Sequence, residues 1–385
     1  MPRNRVIYQS EGLYVGKDAS LGTTADHEQL NRVQSANYSF TINRQDVNQF
    51  GDLARIDSLV LDPPTVSLDF SYYLTDGFNE RALGFFVQNS GDSTKTQRGV
   101  LAGKYTSGNF ASGHLVSSSG VNFFIVTSPD GQDLNKDTSE PLNGSDTSIG
   151  VGNCYISDYS VELSVGSLPT VNVTVEGANM RSVAGDIATG SPAVNQEDGG
   201  PLTSNIELPA PSKNGLIESQ GGSITALRPG DVTLYLGDVD GESLVTLSGN
   251  DGAHVQSASI SLPLSRTPID RLGSKFPFAR EVDFPVNATM NVSAIVSNSQ
   301  AASLADILNS GVQEATITVK DHNATTQRDA IQYRMKGLKV DSQSFSSSIG
   351  SNKTVDITFS TQIGGPNDQI NGVFMSGAGF QPVFQ

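Results

Sequence analysis

Residues 33–74 read VQSANYSFTINRQDVNQFGDLARIDSLVLDPPTVSLDFSYYL, and residues 255–296 read VQSASISLPLSRTPIDRLGSKFPFAREVDFPVNATMNVSAIV. The second stretch is a diverged copy of the first at a constant offset of 222, with no gap in the alignment. A match that keeps its register over a whole segment indicates that one fold is used twice. The identical pairs include Val33/Val255, Gln34/Gln256, Ser35/Ser257, Ala36/Ala258, Arg44/Arg266, Gly51/Gly273, Val60/Val282, Pro63/Pro285 and Ser71/Ser293.

The repeat extends on both sides of this stretch. Upstream, residues 13–16 match 234–237, and downstream, residues 164–175 match 348–359 at an offset of 184. The offset falls from 222 to 184, so the first copy holds 38 more residues than the second. We therefore predict a first domain at 1–184 with an insertion at about 90–120, a connector at 185–220, and a second domain at 221–385 that ends in a C-terminal arm.

Composition narrows the class of protein. The 385 residues include 39 glycines and no tryptophan, which favours sheets joined by many turns over a helical bundle. The net charge of −16 argues against a protein that clamps nucleic acid by neutralising phosphates. The lone Cys154 cannot form an intramolecular disulfide, and no secretion signal or membrane-spanning run is evident, so we expect folding in a cytoplasm.

Hydrophobic alternation predicts strands at 37–43 and 66–72. The segment between them, 44–62, is predicted as a loop of about twenty residues, a length that is usually functional. Its copy at 266–284 keeps this length. Helices are predicted at 79–88 and, with clearer signals, at 299–311. The predicted fold is mainly β, with two tandem β-sandwich or barrel domains that each carry one short flanking α-helix.

The sequence offers little that points to catalysis. It lacks a nucleophile elbow, a phosphate-binding loop, a zinc-ligand spacing and a dinucleotide fingerprint, so we expect no enzyme activity, no cofactor and no metal. His27 stands between acidic residues without a second ligand at a suitable spacing, which favours solvated polar surface. Arg44 and Arg266 recur at the same strand end, where each either binds an acidic partner subunit or ends its strand.

The run from residue 33 through 42–51 to 63–73 resembles the major tail tube proteins of long-tailed bacteriophages. The resemblance implies a β-sandwich that assembles into rings whose sheets join in a continuous inner barrel. A duplicated chain then implies a homotrimeric ring with pseudo-sixfold symmetry. The long loops would contact the next ring or a neighbouring subunit, and the candidate contact residues are Arg44, Asp46, Asn48, Phe50, Asp52, Arg55, Arg266, Asp270, Arg271, Lys275, Phe276 and Arg280.

The same resemblance implies a structural virion protein, assembled in the host cytoplasm, that forms the tail tube through which DNA passes into the host. Its implied partners are other copies of the chain and the tape-measure and tail-completion proteins, with no membrane. An acidic lumen would let DNA pass without specific binding, because binding strength follows phosphate neutralisation. The alternative is a two-domain tail-tip or surface module that recognises a host receptor or glycan through residues 90–120.

Overall fold

The computed structural model describes residues 10–89, 99–102, 120–129, 132–134, 142, 146–184, 190–195, 197–202, 205–211, 227–236, 253–274, 276–277, 279–296, 313–320, 329–364, 368 and 370–377. These residues form a mainly β structure, as the sequence predicts, with one short α-helix in the ranges above. No helix in this part of the chain is long and apolar enough to cross a membrane.

The strands fall into two groups that correspond to the two copies in the sequence. The first repeat contains β1 (Glu11–Gly16), β2 (His27–Gln29), β3 (Val33–Thr41), β4 (Arg44–Val47), β5 (Asp57–Val60), β6 (Thr65–Tyr73), α1 (Phe78–Ala82), β7 (Val87–Asn89), β8 (Val121–Thr127), β9 (Thr147–Ser164), β10 (Thr170–Gly177) and β11 (Asn179–Ala184). The second repeat contains β12 (Val232–Leu236), β13 (Ala253–Pro263), β14 (Arg266–Ile269), β15 (Ala279–Val282), β16 (Val286–Val296), β17 (Gln313–Lys320), β18 (Asp329–Ser346), β19 (Thr354–Ile363) and β20 (Gly372–Gly377).

Eight strands form one antiparallel layer, which we call the inner sheet. Its order is β3-β6-β10-β9-β13-β16-β19-β18, so four strands of the first repeat are followed by their four counterparts from the second. The two groups meet where β9 pairs with β13 over residues 158–164 and 257–263. We call this pairing the internal seam.

Both repeats carry the same irregularities in their strand pairing. β3 leaves Gln34 out of its pairing with β6, and β13 leaves Gln256, 222 residues later, out of its pairing with β16. β9 skips Ser157 opposite β10, and β18 skips Asp341, 184 residues later, opposite β19. Because a β-bulge shifts the phase of side-chain alternation, shared bulges keep the same residues buried in both repeats.

The longest strand of each repeat belongs to two sheets. Residues 147–154 of β9 pair with β8 and β11 in an outer sheet, whereas residues 155–164 pair with β10 and β13 in the inner sheet. The change occurs at Asn153, which has a φ of 52°, and β18 changes sheets at Gly337, which has a φ of 72°. Asparagine and glycine are the residues that tolerate this left-handed conformation best.

The core lies between the inner sheet and the outer strands. β6 buries alternate side chains, including Leu68 and Phe70, and Phe70 packs against Phe123 of β8 with 5.7 Å between ring centroids. One buried apolar cluster includes side chains from both repeats. The division into two tandem domains stays a prediction.

The segments predicted as long loops contain β-hairpins. We call residues 44–60, built from β4 and β5, hairpin 1, and residues 266–282, built from β14 and β15, hairpin 2. Arg44 lies opposite Val60 in hairpin 1, and Arg266 lies opposite Val282 in hairpin 2, so both have the same register. The interpretation of 44–62 and 266–284 as plain loops is therefore wrong.

The first helix is shorter than its predicted range, 79–88. α1 ends at Ala82, since Gly84 has a φ of 102°, and Val87 then pairs with Met375 in the parallel β7–β20 contact. The second predicted helix, at 299–311, lies outside the described residues.

The prediction of a solvated His27 is also wrong. The imidazole is buried, with its ring edge-on to Phe124 at 5.5 Å between centroids and its Nδ1 2.9 Å from the carbonyl oxygen of Thr23. Burial lowers the pKa of His27, so the neutral ring is favoured.

A buried carboxyl group links the two repeats. Glu80 on α1 accepts hydrogen bonds from the hydroxyls of Tyr72 at 2.8 Å and Tyr159 at 3.2 Å. The Tyr159 hydroxyl also lies 2.9 Å from that of Tyr333 on β18, in the second repeat. All four side chains are fully buried, and burial raises the pKa of Glu80 to about 7.

We expect Glu80→Gln to change how stability depends on pH. The pKa of Glu80 rises from its ordinary 4.5 to about 7 on folding, so between these values the folded chain holds a proton that the unfolded chain has released. The free energy of unfolding therefore falls as pH rises through this window, by at most about 1.4 kcal/mol per pH unit from this group. Glu80→Gln removes that slope and gains stability relative to wild type between pH 5 and pH 8.

Urea denaturation at pH 5, 6, 7 and 8 measures the free energy of unfolding of the wild type and of the variant. Glu28 contributes a separate slope, because burial raises its pKa to about 7 as well, and Glu28→Gln removes that part alone. A Glu80→Gln variant whose free energy of unfolding falls with pH as steeply as that of the wild type would contradict the raised pKa of Glu80.

Candidate assembly surfaces

The internal seam buries an apolar stripe. Its backbone ladder extends beyond the two strands, because the Val165 amide donates to the Gln256 carbonyl at 2.9 Å and the Leu264 amide donates to the Ser157 carbonyl at 2.8 Å. Burial of such side chains is worth roughly 1.5–3 kcal/mol for each large aliphatic group. The opposed buried pairs are Val161/Ile260, Leu163/Ala258 and Tyr159/Leu262.

The two ends of the inner sheet are made of the same kinds of strand as the internal seam. Within the described ranges, β3 has a strand neighbour only in β6, and residues 339–346 of β18 have one only in β19. β3 is the counterpart of β13, and this part of β18 is the counterpart of the seam half of β9. The sheet therefore ends in two strands whose counterparts pair with each other inside the chain.

The apolar side chains of these end strands are exposed in a single chain. Phe40 is 61% exposed, whereas its counterpart Leu262 is 1% exposed. Phe345 is 42% exposed, whereas its counterpart Val161 is fully buried. The alternation in β3 predicts a buried face, and in the isolated chain that face lies open because β3 is the last strand of the sheet among the described residues.

One face of the inner sheet carries small polar and acidic side chains. We call it the open face, and it consists of the residues that alternate with the buried ones along the eight strands. Lys339 is the one lysine or arginine at these open-face positions of the eight described strands. The carboxylates there are Asp69, Asp158, Glu162, Glu176 and Asp356.

Hairpin 1 projects its predicted contact residues into solvent. The side chains of Arg44, Asp46, Asn48, Phe50, Asp52 and Arg55 are all exposed. Arg55 and Asp46 form an ion pair at 2.8 Å across the hairpin, and Gln49 donates to Asp52 at 2.6 Å. Surface pairs of this kind contribute little to the free energy of unfolding.

Hairpin 2 is fastened to the rest of the chain. Arg271 forms an ion pair with Glu197 at 2.8 Å, and Arg280 forms one with Glu176 at 3.3 Å. The guanidinium of Arg266 lies 5.0 Å from the ring centroid of Tyr155, within cation–π range, and burial lowers its pKa to about 10. Arg266 stays charged at neutral pH, so its contact with Tyr155 persists there.

Of the other three predicted contact residues of hairpin 2, the two that the structure describes differ in exposure. Asp270 is exposed, Phe276 is half-buried, and Lys275 lies outside the described residues. The sequence did not indicate the partners of hairpin 2, because Tyr155, Glu176 and Glu197 lie far away in the chain and belong to no recognisable motif.

The residues that the structure describes contain no group of three or more His, Cys, Asp or Glu side chains that could hold a metal ion. A cleft of about 90 Å³ lies beside the internal seam, lined by Val165, Leu234 and Ile317 among others. It is smaller than the roughly 300–1,000 Å³ typical of sites for small molecules.

The insertion at about 90–120 is anchored in the core where the structure describes it. Val100 and Leu101 are buried, and the Val100 amide donates to the Val373 carbonyl at 2.9 Å. Tyr105 and Phe110, the other apolar anchors of this segment, lie outside the described ranges. Phe374, from the predicted C-terminal arm, is buried in β20, while residues 378–385 are not described.

Comparison of the sequence with models of known protein families and with curated proteins finds no match.

We expect matched substitutions in the end strand β3 and in the internal seam to have different effects on the free energy of unfolding. Leu262→Ala removes a buried side chain and should lower the free energy of unfolding by about 2–5 kcal/mol. Phe40→Ala, at the counterpart position, removes an exposed side chain and should change it by no more than about 0.5 kcal/mol. Urea denaturation of the dilute, monomeric chain checks both values, and an equal loss in the two variants would refute the contrast.

Proposed function

We propose that this chain is a structural subunit that assembles head-to-tail into rings, and that the rings stack into the tail tube of a long-tailed bacteriophage. The observation that carries the proposal is that the two ends of the inner sheet are counterparts of the two strands of the internal seam. A head-to-tail contact generates a closed ring when its rotation divides a full turn. The strand pairing at the internal seam therefore predicts how one copy of the chain pairs with the next.

The internal seam supplies a register for the contact between chains. Ser261 lies opposite Ser160 at the seam, and their counterparts are Ser39 and Ser344. In the same way, Ile260 opposite Val161 becomes Tyr38 opposite Phe345 of a neighbouring chain. This arrangement covers the exposed apolar side chains of both end strands and leaves serines on the open face.

A trimer would contain six repeats, in agreement with the pseudo-sixfold ring that the resemblance implies. Six repeats would contribute 24 inner strands, and at about 4.8 Å between strands the wall would have a backbone diameter of roughly 37 Å before strand tilt widens it. A closed wall also removes both sheet edges, which are otherwise sites of uncontrolled pairing. In this proposal, each repeat acts as one tail-tube-like β-sandwich domain.

The charge of the open face supports a role as a conduit. If this face lines the lumen, the strands present five carboxylates and one lysine per chain to passing DNA, and one of the carboxylates, Glu176, is paired with Arg280 of hairpin 2. Such a surface does not release counterions by neutralising phosphates, which is the main source of non-specific DNA affinity. DNA would therefore pass without being held. Contacts with tape-measure and tail-completion proteins, and a place in the virion, follow from the resemblance.

We expect a chain with Ser39→Cys and Ser344→Cys to form disulfides between neighbouring copies on mild oxidation. Residues directly opposite in an antiparallel pair have Cα atoms about 4.5–5.5 Å apart, within the range that a disulfide spans. The native Cys154 is buried and does not compete. Non-reducing gel electrophoresis should show dimers and trimers, with a closed trimer as the end product.

Ser39→Cys combined with Ser346→Cys is the matched control. That pair is diagonal, with Cα atoms about 7–8 Å apart, so we expect at least tenfold less crosslinking. Equal crosslinking in both would refute the register, and an absence of linked copies at concentrations that favour assembly would refute the ring.

A further inference from the structure

Hairpins 1 and 2 have the same length and register but different surroundings. Hairpin 2 reaches across the internal seam, where Arg266 and Arg280 contact the first repeat, and Arg271 pairs with Glu197 of the predicted connector. Hairpin 1 is exposed along almost its whole length in the single chain. In the proposed ring, hairpin 1 stands next to the second repeat of the neighbouring copy, as hairpin 2 stands next to the first repeat of its own chain.

The sequence does not allow hairpin 1 to repeat the contacts of hairpin 2. The counterpart of Arg266 is Arg44, and the counterpart of its aromatic partner Tyr155 is Lys339. The same placement would bring Arg44 beside Lys339, so a repulsion between like charges would replace a cation–π contact.

The two ion pairs of hairpin 2 are also missing from hairpin 1. Ser58 and Ser360 stand at the counterpart positions of Arg280 and Glu176, and two serines form no ion pair. Gln49 stands at the position of Arg271 and carries no charge. The features that fasten hairpin 2 to its neighbouring repeat have no equivalent for hairpin 1.

Hairpin 1 instead carries a large exposed apolar surface. Phe50 and Leu53 at its tip are fully exposed, and Ile56, Leu59 and Leu61 are about half exposed. Hairpin 2 exposes Leu272 at the position of Phe50, but Lys275 replaces Leu53. Contiguous exposed apolar surface on a protein usually marks a site that a partner covers.

The strand register shows where such a partner contact lies. Both hairpins leave the inner sheet at the end marked by Thr65, whereas the β9–β10 and β18–β19 turns lie at the opposite end, where Tyr73 pairs with Thr170. These turns expose Val165 and Ile349. Stacking one ring on another in the same direction brings the hairpin end of one copy to the turn end of the next.

Exposure and charge favour the turn end as the receiving surface. Val165 remains 70% exposed beside the internal seam, so its counterpart Ile349 should stay exposed after ring closure. Residues 44–62 contain four aspartates and two arginines, whereas Arg32 and Lys353 lie at the turn end. An acidic apolar hairpin then meets an apolar surface with basic neighbours.

We propose that the two hairpins have divided their roles: hairpin 2 fastens neighbouring repeats within the chain, and hairpin 1 alone connects each copy to a copy in the next ring, against the turns that carry Val165 and Ile349. The inference depends on the proposed stacked ring. It narrows the expectation that the long segments contact the next ring or a neighbouring subunit. A trimeric ring would then be joined to the next by three hairpins and not by six.

Matched substitutions at the two tips test this division. Phe50→Ser with Leu53→Ser alters hairpin 1, and Leu272→Ser alters the counterpart position in hairpin 2. Because all three side chains are exposed, the variants should fold normally, and circular dichroism checks that they do. Negative-stain electron microscopy and sedimentation velocity then measure rings and stacked tubes separately.

The hairpin 1 variant should form rings but lose stacked tubes at least tenfold, whereas Leu272→Ser should stack like the wild type. Val165→Ser with Ile349→Ser, on the receiving surface, should reproduce the loss of stacking. Loss of stacking in Leu272→Ser, or normal tubes from the hairpin 1 variant, would overturn the division of roles. Absence of rings from the wild-type protein would overturn the proposed function itself, and rings that stack through both hairpins would overturn only the present inference.

Discussion

The antiparallel pairing of β9 with β13 is the contact on which the architecture depends. It joins the strands of both repeats into one inner sheet through β9, a strand that also pairs with β8 in the outer sheet. A slip of one residue along this pairing would move Ile260 to the open face and bring serines into the core, because side chains alternate between faces. The shared bulges at Gln34 and Gln256 give the side chains of β3 and β13 the same alternation between the two faces.

Much of this arrangement could be predicted from the sequence, because the governing signal is local. Alternation over residues 66–72 identifies a strand with one buried face, and the constant offsets of 222 and 184 identify its counterparts. The mainly β fold follows from the same reasoning, and the structure confirms it.

Other features could not be predicted, because contacts between distant residues decide them. β4 and β5 are only four residues long and expose both faces, so they leave no pattern of burial in the sequence. His27 is buried by Phe124, almost a hundred residues away, and the helix predicted at 79–88 gives way to a strand that pairs with β20. Length alone identifies the two long segments as candidate surfaces, whereas their different surroundings depend on contacts with Tyr155 and Glu197.

The internal seam has a consequence for the speed of assembly. In the proposed trimer, each folded chain already holds one of the six contacts between repeats, so three of the six form without dependence on protein concentration. A tethered contact behaves as if its partner were present at an effective concentration in the millimolar range. Assembly of the ring then requires two encounters in solution, whereas six separate repeats would require five, and the last contact forms within the complex in both cases. Covalent linkage of the two repeats thus gives a simpler route to a closed ring.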